Sequence, residues 1–238
     1  MTEELFREDS YLKTCDATVT RVEPGRVFLD RTVFYPTGGG QPGDTGVLRA
    51  ADGGEYRVVD TVKADGDVAH VLTDGAAGPA VGDRISAQID WDRRYRLMRM
   101  HTCMHVLSYV VPLGVTGGSI RDGSARLDFD APEPLDKEDI DRRLNQAIEE
   151  GAAVSKRWIS EEELDAQPEL VKTLSVQPPR GSGRIRLIEI AGLDLQPCGG
   201  THLADIKEIG PVRVKKIEKK GKHNRRVIVE FAGRQGAA

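Results

Sequence analysis

Two matching four-residue spacings, far apart in the sequence, constrain the fold more than any other feature. His101 and His105 stand four apart in the run RYRLMRMHTCMHVLSYVV, which contains neither Gly nor Pro and is rich in apolar residues. Residues four apart lie one above the other on a helix face, so this run predicts a buried helix with two stacked imidazoles. Cys198 and His202 repeat the spacing in the segment PCGGTH.

The two spacings together favour a metal site. Imidazole nitrogens and a thiolate are donors that zinc prefers, and Cys198 and His202 would complete the set begun by the helical pair. Each half alone has an ordinary explanation, because a helix histidine is often a hydrogen-bonded core residue and PCGGTH can be a simple glycine turn. Few other uses need both halves. We therefore expect Zn²⁺ at four residues, His101, His105, Cys198 and His202.

Composition is typical of a soluble globular protein. The 238 residues have room for two domains, and 30% of them are charged while 5% are aromatic. Three widely spaced cysteines form no disulfide framework, and a thiolate ligand fits a reducing compartment. The first residues, MTEELFREDS, lack a signal-peptide pattern, and no apolar run is long enough to span a bilayer. We expect a cytoplasmic protein with no membrane partner.

Positive charge is concentrated at the end of the chain. Residues 209–238 hold nine Lys or Arg against two Glu, a local charge of +7, although the whole chain has a net charge of −4. A basic end on an acidic body favours a polyanion partner. The alternative is a solvated face, since lysines on an edge strand also block edge pairing.

Short alternating runs broken by turn residues fill the sequence from about Asp16 to Asp90. They are ATVTRV, RVFLD, GVLRA, EYRVVDTV, DVAHVLTD and DRISAQID. This spacing predicts a small closed antiparallel barrel, which we assign to a first domain of residues 1–92.

A glycine-rich stretch, YPTGGGQPGDTG, lies between the second and third runs. It lacks the Lys and Ser/Thr of a phosphate loop and has no strand-to-helix context. Its glycines permit positive φ or the close approach of another backbone or a ligand. It is either a crossover loop of the barrel or a wall of the functional site, and in the second case the substrate would meet Gly38, Gly39, Gly40 and Gln41.

Residues 93–238 mix helices and strands, which predicts an α+β second domain. After the histidine helix, PLGVTGGSIRDG is typical of a loop and SARLDFD of a strand. The segment Asp136 to Gly151 predicts a helix, VSKRWIS a strand, and Ser160 with Glu163 the capping box of a short third helix. RIRLIEI is a strand expected to run straight into PCGGTH, and VRVKKIEKK with RRVIVEF predicts a hairpin.

Four motifs, GGGQPGDTG, HTCMH, PCGGTH and IGPVRVKKIEKKGKHNRRV, occur in this order. Together they resemble the AlaX family of freestanding alanyl-tRNA editing proteins, which are similar to the editing domain of alanyl-tRNA synthetase. The resemblance covers almost the whole chain and matches the medium-length type, in which a glycine-rich barrel precedes the zinc domain. It implies zinc at the four residues named above and hydrolysis of tRNA(Ala) wrongly charged with serine or glycine.

One residue departs from the family pattern, and the end of the chain bears on how the protein would act. Cys103 stands where family members often have a small residue. It lies two positions from each histidine, so its sulfur points away from their face, and we assign it to the core. The chain stops after the hairpin, without aminoacylation or oligomerisation parts, so we expect it to act in trans. The sequence leaves the oligomeric state open.

The chemistry implied by the resemblance is ester hydrolysis. Thr102 occupies the position where zinc proteases carry a glutamate base, which argues against a peptidase. An aminoacyl ester is already activated and needs little beyond a positioned water and stabilisation of the tetrahedral intermediate. Zinc can polarise water, hold the substrate or shape the pocket. His202 is either a fourth ligand or, set back from the metal, an acid or base.

Selectivity for serine over alanine needs a polar partner, because the larger amino acid is the one to be cleaved. Thr116 and Ser119 are the nearest hydroxyl candidates, although both can be ordinary turn residues. Glycine would enter simply by being small. The tRNA backbone would meet the basic hairpin through Lys215, Lys216, Lys219, Lys220, Lys222, Arg225 and Arg226.

Two other classes of function stay open at this point. One is a zinc-stabilised RNA-binding module without catalysis, which would lack an open metal position with a pocket beside it. The other is a metallohydrolase that acts on a different ester or on another mischarged tRNA. An activity panel would separate the second from an alanyl-tRNA editing enzyme.

Overall fold

The computed structural model describes residues 1–73, 78–174 and 183–233. The chain divides into two compact units, Met1–Leu97 and Met98–Ala238. This division falls within one helix, whereas the sequence analysis placed a boundary between residues 92 and 93, and the limits of the folding domains stay a prediction. Among the described residues, no helix is long and apolar enough to cross a membrane.

The described part of the first unit consists of strands and the beginning of a long helix. Its elements are β1 (Glu3–Glu4), β2 (Thr14–Glu23), β3 (Arg26–Leu29), β4 (Arg31–Thr32), β5 (Gly46–Ala50), β6 (Glu55–Ala64), β7 (Asp67–Leu72), β8 (Arg84–Ile89) and the start of α1 (Trp91–Val110), with a 3₁₀ turn at Leu5–Arg7.

Six of these strands close into an antiparallel barrel in the order β2-β3-β7-β6-β5-β8, which confirms the predicted barrel. Side chains of a half-buried strand alternate between core and solvent, and β8 shows this most clearly. In β8, Ile85, Ala87 and Ile89 are buried while the residues between them are exposed. The alternating runs of the sequence therefore encode the barrel directly.

The glycine-rich stretch contains a tight turn. The Gly38 N–H donates to the Gln41 carbonyl (3.1 Å) and the Gln41 N–H donates to the Gly38 carbonyl (2.9 Å). Gly39 and Gly40 have φ of 56° and 81°, the left-handed pair that such a two-residue turn requires. Gly43 is required for lack of space and not for its φ, because a Cβ there would lie 2.1 Å from the Thr61 carbonyl oxygen.

A buried ion pair fastens this stretch to the start of helix α1. Arg94 and Asp44 are both fully buried, and the Arg94 Nε donates to both Asp44 carboxylate oxygens (3.0 and 2.9 Å). Arg94 also donates to the carbonyls of Ser10 (3.0 Å) and Val33 (2.6 Å), and Asp44 accepts from the Tyr35 N–H (2.6 Å). The pair thus satisfies its own hydrogen bonds and holds three segments of the first unit together.

The second unit adds seven strands and two helices within its described residues. They are β9 (Val115–Arg121), β10 (Ser124–Asp130), α2 (Lys137–Glu150), β11 (Val154–Ser160), α3 (Glu161–Asp165), β12 (Arg184–Ile190), β13 (Asp194–Pro197), β14 (Val212–Lys219) and β15 (Asn224–Phe231), with 3₁₀ turns at Pro168–Leu170 and Ile206–Ile209.

The strands of this unit form two antiparallel sheets, β14-β15-β10-β9 and β11-β12-β13. Helix α2 begins at the predicted cap, Asp136, whose carboxylate accepts from two backbone N–H groups, and ends at Gly151 with φ of 76°. Asn145 on α2 bonds both the N–H and the carbonyl of Val212 on β14 (3.1 and 2.9 Å). The α+β class is confirmed.

The sequence analysis was wrong about PLGVTGGSIRDG, which was expected to be a loop. Most of this segment is strand β9, paired along its length with β10 and joined to it by a turn at Gly123 with φ of 81°. Glycine lowers strand propensity locally, but pairing with the strongly alternating β10 overrides it. Thr116 and Ser119 are therefore strand residues.

One further strand was missed. RIRLIEI does not lead straight into PCGGTH, because the chain turns at Gly192 (φ 73°) and returns as β13 beside β12. Strand β13 is only four residues long and ends at Pro197, so its alternation is too short to stand out in the sequence.

The buried pair of the first unit makes a testable prediction. Asp44→Ala should lower the free energy of unfolding by about 3–5 kcal/mol, because it leaves the Arg94 guanidinium buried and unpaired. Glu55→Ala removes the exposed partner of Arg49 in the same barrel and should cost less than about 1 kcal/mol. Urea unfolding followed by Trp91 fluorescence in a Trp158→Phe background measures both. Equal losses for the two variants would contradict the assigned role of the pair.

Candidate metal centre

The structure brings the two four-residue spacings together within the second unit. The ligand atoms of His101, His105, Cys198 and His202 all lie within 4.8 Å of one another, and this cluster can hold a metal ion. The two helical imidazoles come from α1, and the other two side chains come from the turn that follows β13. The three histidines are buried, each with at most 6% exposure.

The nitrogen atoms that face the thiol are the Nε2 atoms. The Cys198 Sγ lies 3.5 Å from the His101 Nε2 and 3.2 Å from the His202 Nε2. The imidazole centroids of His101 and His202 are 4.3 Å apart, and those of His105 and His202 are 4.7 Å apart. Three rings therefore crowd around one sulfur.

Two of the histidines are held from the side that faces away from the cluster. The His105 Nδ1 lies 2.8 Å from the Asp194 Oδ2, and the His202 Nδ1 lies 3.2 Å from the Thr102 Oγ1. The Thr102 Oγ1 also accepts from the Leu203 N–H (3.2 Å). When Nδ1 of a ring is engaged in this way, Nε2 is the nitrogen that can face a metal.

The electrostatics favour a thiolate at Cys198 and a neutral ring at His202, as metal ligands need, but a proton on His105. Burial raises the pKa of the Cys198 thiol, but the charges of His101 and His202 and the hydrogen bonds with His101 and His105 outweigh it, so the pKa falls well below its usual value. Burial and the nearby His101 lower the pKa of His202 to about 3. Burial also lowers the pKa of His105, yet the hydrogen bond to Asp194 raises it overall, to about 9.

The turn that carries Cys198 is held by Arg186 on β12. The Arg186 guanidinium donates to the carbonyls of Cys198 (3.1 Å) and Gly200 (2.8 Å), and the Cys198 N–H donates to the Arg186 carbonyl (3.1 Å). Cys103 on α1 is fully buried, and burial raises the pKa of its thiol to about 12. Its inert thiol agrees with the core position expected from helix geometry.

The predicted selectivity residues lie on β9. The Thr116 hydroxyl donates to the Asp128 carbonyl (3.1 Å), at a bulge between β9 and β10. Ser119 is half-buried and stands opposite Arg126 on β10. Both are polar groups of one sheet, and neither belongs to the group of four ligand atoms. The predicted substrate-contacting residues Gly38, Gly39, Gly40 and Gln41 lie in the first unit.

The seven predicted tRNA-contacting cations fall into three environments. Lys219 and Lys222 are exposed and have no ion-pair partner in the part of the chain that the structure describes. Four others share carboxylates: Lys215 pairs with Glu230, Lys216 and Lys220 with Glu218, and Arg226 with Asp128.

Arg225 differs from the other six because it is buried, with 7% exposure. Its guanidinium donates to the carbonyls of Pro132 (2.6 Å), Asn224 (3.2 Å) and Gly221 (3.4 Å). These bonds hold the turn between β14 and β15. The structure gives Arg225 this structural role, and the burial follows from its position on the same side of β15 as Val227. Its phosphate contact stays a prediction.

Sequence reasoning missed the residues behind the histidines. Asp194 is buried on β13 and bonds His105, and its other oxygen lies 2.5 Å from the Lys172 Nζ. The Gln196 Nε2 donates to the Asp194 Oδ2 (2.8 Å). The only signal was the alternation of Asp194, Gln196 and Cys198, which places all three on one face of a short strand.

Two protein-family models match the chain. The model described as "tRNA synthetases class II (A)" matches residues 7–93. The model described as "Threonyl and Alanyl tRNA synthetase second additional domain" matches residues 185–228, which include Cys198 and His202.

Curated relatives match over nearly the full length. The alanyl-tRNA editing protein AlaX-M of Methanosarcina mazei is 40% identical over 240 residues, covering 95% of this chain and 95% of the relative. The AlaX-M of Pyrococcus horikoshii is 34% identical over 237 residues, covering 95% and 96%. The alanine–tRNA ligase of Pyrobaculum arsenaticum is 37% identical over 233 residues, which are 92% of this chain but 25% of the ligase. By this identity and coverage, the chain belongs to the AlaX-M family of alanyl-tRNA editing proteins.

Proposed function

We propose that the protein is a zinc-containing aminoacyl-tRNA deacylase that hydrolyses the ester of tRNA(Ala) mischarged with serine, and secondarily with glycine. The observation that carries the proposal is the buried cluster of His101, His105, Cys198 and His202 in a chain whose relatives are named alanyl-tRNA editing proteins. Thr102 follows the first histidine, at the position where zinc proteases carry a glutamate base, and its hydroxyl bonds His202. That arrangement suits an activated ester better than a peptide.

The donor set fits zinc. Zinc takes thiolate and imidazole ligands at about 2.3 Å and about 2.0–2.1 Å, which puts sulfur and nitrogen of one tetrahedron roughly 3.5 Å apart. The observed separations from the Cys198 Sγ to the two Nε2 atoms are 3.5 and 3.2 Å. A lowered thiol pKa and a neutral His202 supply the protonation states that such ligands need. When bound, zinc would supply Lewis-acid polarisation of a water or a carbonyl.

His202 acts in this proposal as a ligand. Its Nε2 faces the thiolate and its Nδ1 faces the Thr102 hydroxyl, so both ring nitrogens are occupied. Burial and the nearby His101 lower the pKa of His202 to about 3, which favours the neutral ring that a ligand needs. The acid-or-base alternative is therefore the weaker one.

We assign the selection of serine over alanine to two hydroxyl groups on β9, those of Thr116 and Ser119. Thr116 and Ser119 flank Gly117 and Gly118, and two glycines within a strand leave backbone that a ligand can approach closely. A hydroxyl fixed in orientation, as Thr116 is by the Asp128 carbonyl, discriminates well because alanine would leave it without the seryl partner. We assign the exposed Gly39–Gly40 turn of the first unit to backbone contact with substrate.

The tRNA backbone is assigned to the polar face of the sheet β14-β15-β10-β9 and to the exposed lysines Lys219 and Lys222 at the end of the β14–β15 hairpin. Cross-strand neighbours on this face form three rows: Glu218, Arg226, Asp128, Gly117; then Lys216, Ile228, Arg126, Ser119; then Arg213, Glu230, Ser124, Arg121. The middle row carries positive charge from the hairpin to the strand of Ser119.

Each carboxylate of this polar face is shared by two cations. Asp128 pairs with Arg126 and Arg226, Glu218 with Lys216 and Lys220, and Glu230 with Arg213 and Lys215. Every such trio keeps a net positive charge. Hydrogen bonds from the two lysines lower the pKa of Glu218 to about 2, so it stays ionised. The lysines paired with Glu218 and Glu230 are exposed and such pairs are weak, so phosphates can take over these lysines.

Two circumstances follow from this assignment. The reaction belongs in the cytoplasm, where aminoacyl-tRNA is used and a zinc thiolate stays reduced. Acting in trans on a released tRNA, the protein would contribute to translation fidelity without ATP. The RNA-binding module and the metallohydrolase for another ester remain the competing functions that the experiments below separate.

We expect one zinc ion per chain. Metal analysis of protein purified without an affinity tag should find it in the wild type and lose it in His101→Ala/His105→Ala, because two of the four donors are gone. His223→Ala is the control, since His223 is an exposed histidine of the hairpin turn. Equal and negligible zinc in all three proteins would contradict the proposed site.

Deacylation should be fast for Ser-tRNA(Ala), measurable for Gly-tRNA(Ala) and slow for Ala-tRNA(Ala). Steric sorting alone yields only about 1–3 kcal/mol, so a larger ratio of serine to alanine rates implies a hydroxyl partner. Cys198→Ala should abolish the activity, whereas Cys15→Ala, a half-buried cysteine of the barrel, should keep it. The measurement is a time course on the three charged tRNAs.

The outcomes of this time course separate the competing functions. Loss of the serine ester at the buffer rate, with tRNA still bound, would leave the non-catalytic RNA-binding module. Equal rates for serine and alanine, or activity only on other esters, would favour a metallohydrolase of different specificity.

The two unpaired lysines should contact phosphates. Lys219→Ala/Lys222→Ala should weaken tRNA binding and reduce the slope of log K against log salt by about two, since each lost contact releases about one fewer counterion. Lys137→Ala/Arg142→Ala removes the same charge from exposed positions of α2 and serves as the control. A slope equal to that of the control would show that Lys219 and Lys222 are solvated lysines that do not contact phosphates.

A further inference from the structure

The side chains behind the cluster are not equivalent. His202 rests on a neutral hydroxyl, that of Thr102, whereas His105 rests on a carboxylate, that of Asp194. Asp194 is 5% exposed, and its two oxygens accept from three groups. These are the His105 Nδ1 (2.8 Å), the Gln196 Nε2 (2.8 Å) and the Lys172 Nζ (2.5 Å). A buried carboxylate with three donors is fixed in place more firmly than a hydroxyl.

We propose that Asp194, oriented by Lys172, is the positioning residue of the metal cluster, because it keeps the His105 proton on Nδ1 and so leaves Nε2 as the ligand atom. The inference rests on the proposed function only in requiring that the cluster binds zinc. It adds two residues, Asp194 and Lys172, that are not among the four residues whose ligand atoms form the cluster.

Lys172 matters because it carries only donors. It occupies one Asp194 oxygen, and the other oxygen is thereby turned to His105. Lys172 is also bound through its backbone, because its carbonyl accepts from the Val115 N–H (3.0 Å) at the start of β9. The lysine therefore approaches Asp194 from a segment that is itself fixed to the sheet, which sets the direction of the carboxylate.

Asp194→Asn tests the tautomer directly. The amide has one acceptor oxygen, and Lys172 takes it, so the amide nitrogen faces the His105 Nδ1. The ring must then accept at Nδ1 and carry its proton on Nε2, the atom that should bind the metal. Zinc affinity, measured by competition with a chromogenic chelator, should fall by about 10- to 100-fold.

Asp128→Asn is the matched control. Asp128 is buried to a similar degree, at 7% exposure, and is held by two arginines, but it contacts none of the four ligands. Its substitution should leave zinc affinity within about twofold of wild type. Urea unfolding of each metal-free variant shows whether it is folded. The inference is overturned if Asp194→Asn keeps zinc affinity within twofold of wild type, or if Asp128→Asn loses as much as Asp194→Asn.

Lys172→Met supplies the second test and stays informative if Asp194→Asn folds poorly. Alone it should weaken zinc binding severalfold, less than Asp194→Asn, because the bond from His105 to Asp194 persists. In the double variant Asp194→Asn/Lys172→Met, the amide is free to turn its oxygen to His105. The double variant should therefore bind zinc more tightly than Asp194→Asn alone, a reversal of sign that general loss of stability does not produce.

The visible absorption of bound Co²⁺ is a further measurement, and it would not change if Asp194 only stabilised the fold. Its visible bands report the geometry of the ligand set, so they should change in Asp194→Asn and stay unchanged in Asp128→Asn. No recovery in the double variant, or unchanged bands in Asp194→Asn, would overturn the inference.

None of these measurements uses tRNA. A failed deacylase assay beside the expected zinc affinities would therefore refute the proposed substrate and leave the positioning role of Asp194 standing. A wild type that binds no zinc would refute both.

Discussion

Three buried imidazoles and a thiol within 4.8 Å of one another are the constraint on which the second unit depends. Burying that many polar groups is unfavourable unless each finds a partner. The chain supplies partners by three routes: Asp194 and Thr102 hold two of the rings, and Arg186 holds the turn that carries Cys198. Asp194 begins the short strand β13 and Cys198 directly follows it, so one short segment supplies both side chains.

In the proposed function, the metal site and the selectivity residues lie on different elements. The metal site is built on helix α1 and on the turn after β13, which Arg186 and Thr102 hold by hydrogen bonds. The residues assigned to substrate lie on β9, an edge strand with two adjacent glycines. On the neighbouring strands, three carboxylates each shared by two cations keep a positive surface without an uncompensated acid. The basic residues near the end of the sequence thus lie, together with their carboxylate partners, on one polar face of the sheet.

The sequence predicted the parts that local patterns encode. Strict alternation fixed the barrel strands, and Asp136, Gly151, Ser160 and Glu163 marked helix ends because capping is a local interaction. Equal spacing predicted which four side chains would meet. Strand β9 was missed because pairing with β10, a tertiary interaction, overrides its glycines. Asp194 and Lys172 were missed because nothing in a single sequence shows which acid will lie behind a histidine.

The proposed function requires that the seryl ester is cleaved beside this cluster and that its hydroxyl is recognised by residues of β9. The most direct measurement is a crystal structure of the zinc-loaded protein with a non-hydrolysable amide analogue of seryl-adenosine. The account predicts the acyl carbonyl beside the ion held by His101, His105, Cys198 and His202, and the seryl hydroxyl within about 3.2 Å of the Thr116 or Ser119 oxygen. An analogue bound away from the cluster, or a seryl hydroxyl that meets neither side chain, would contradict it.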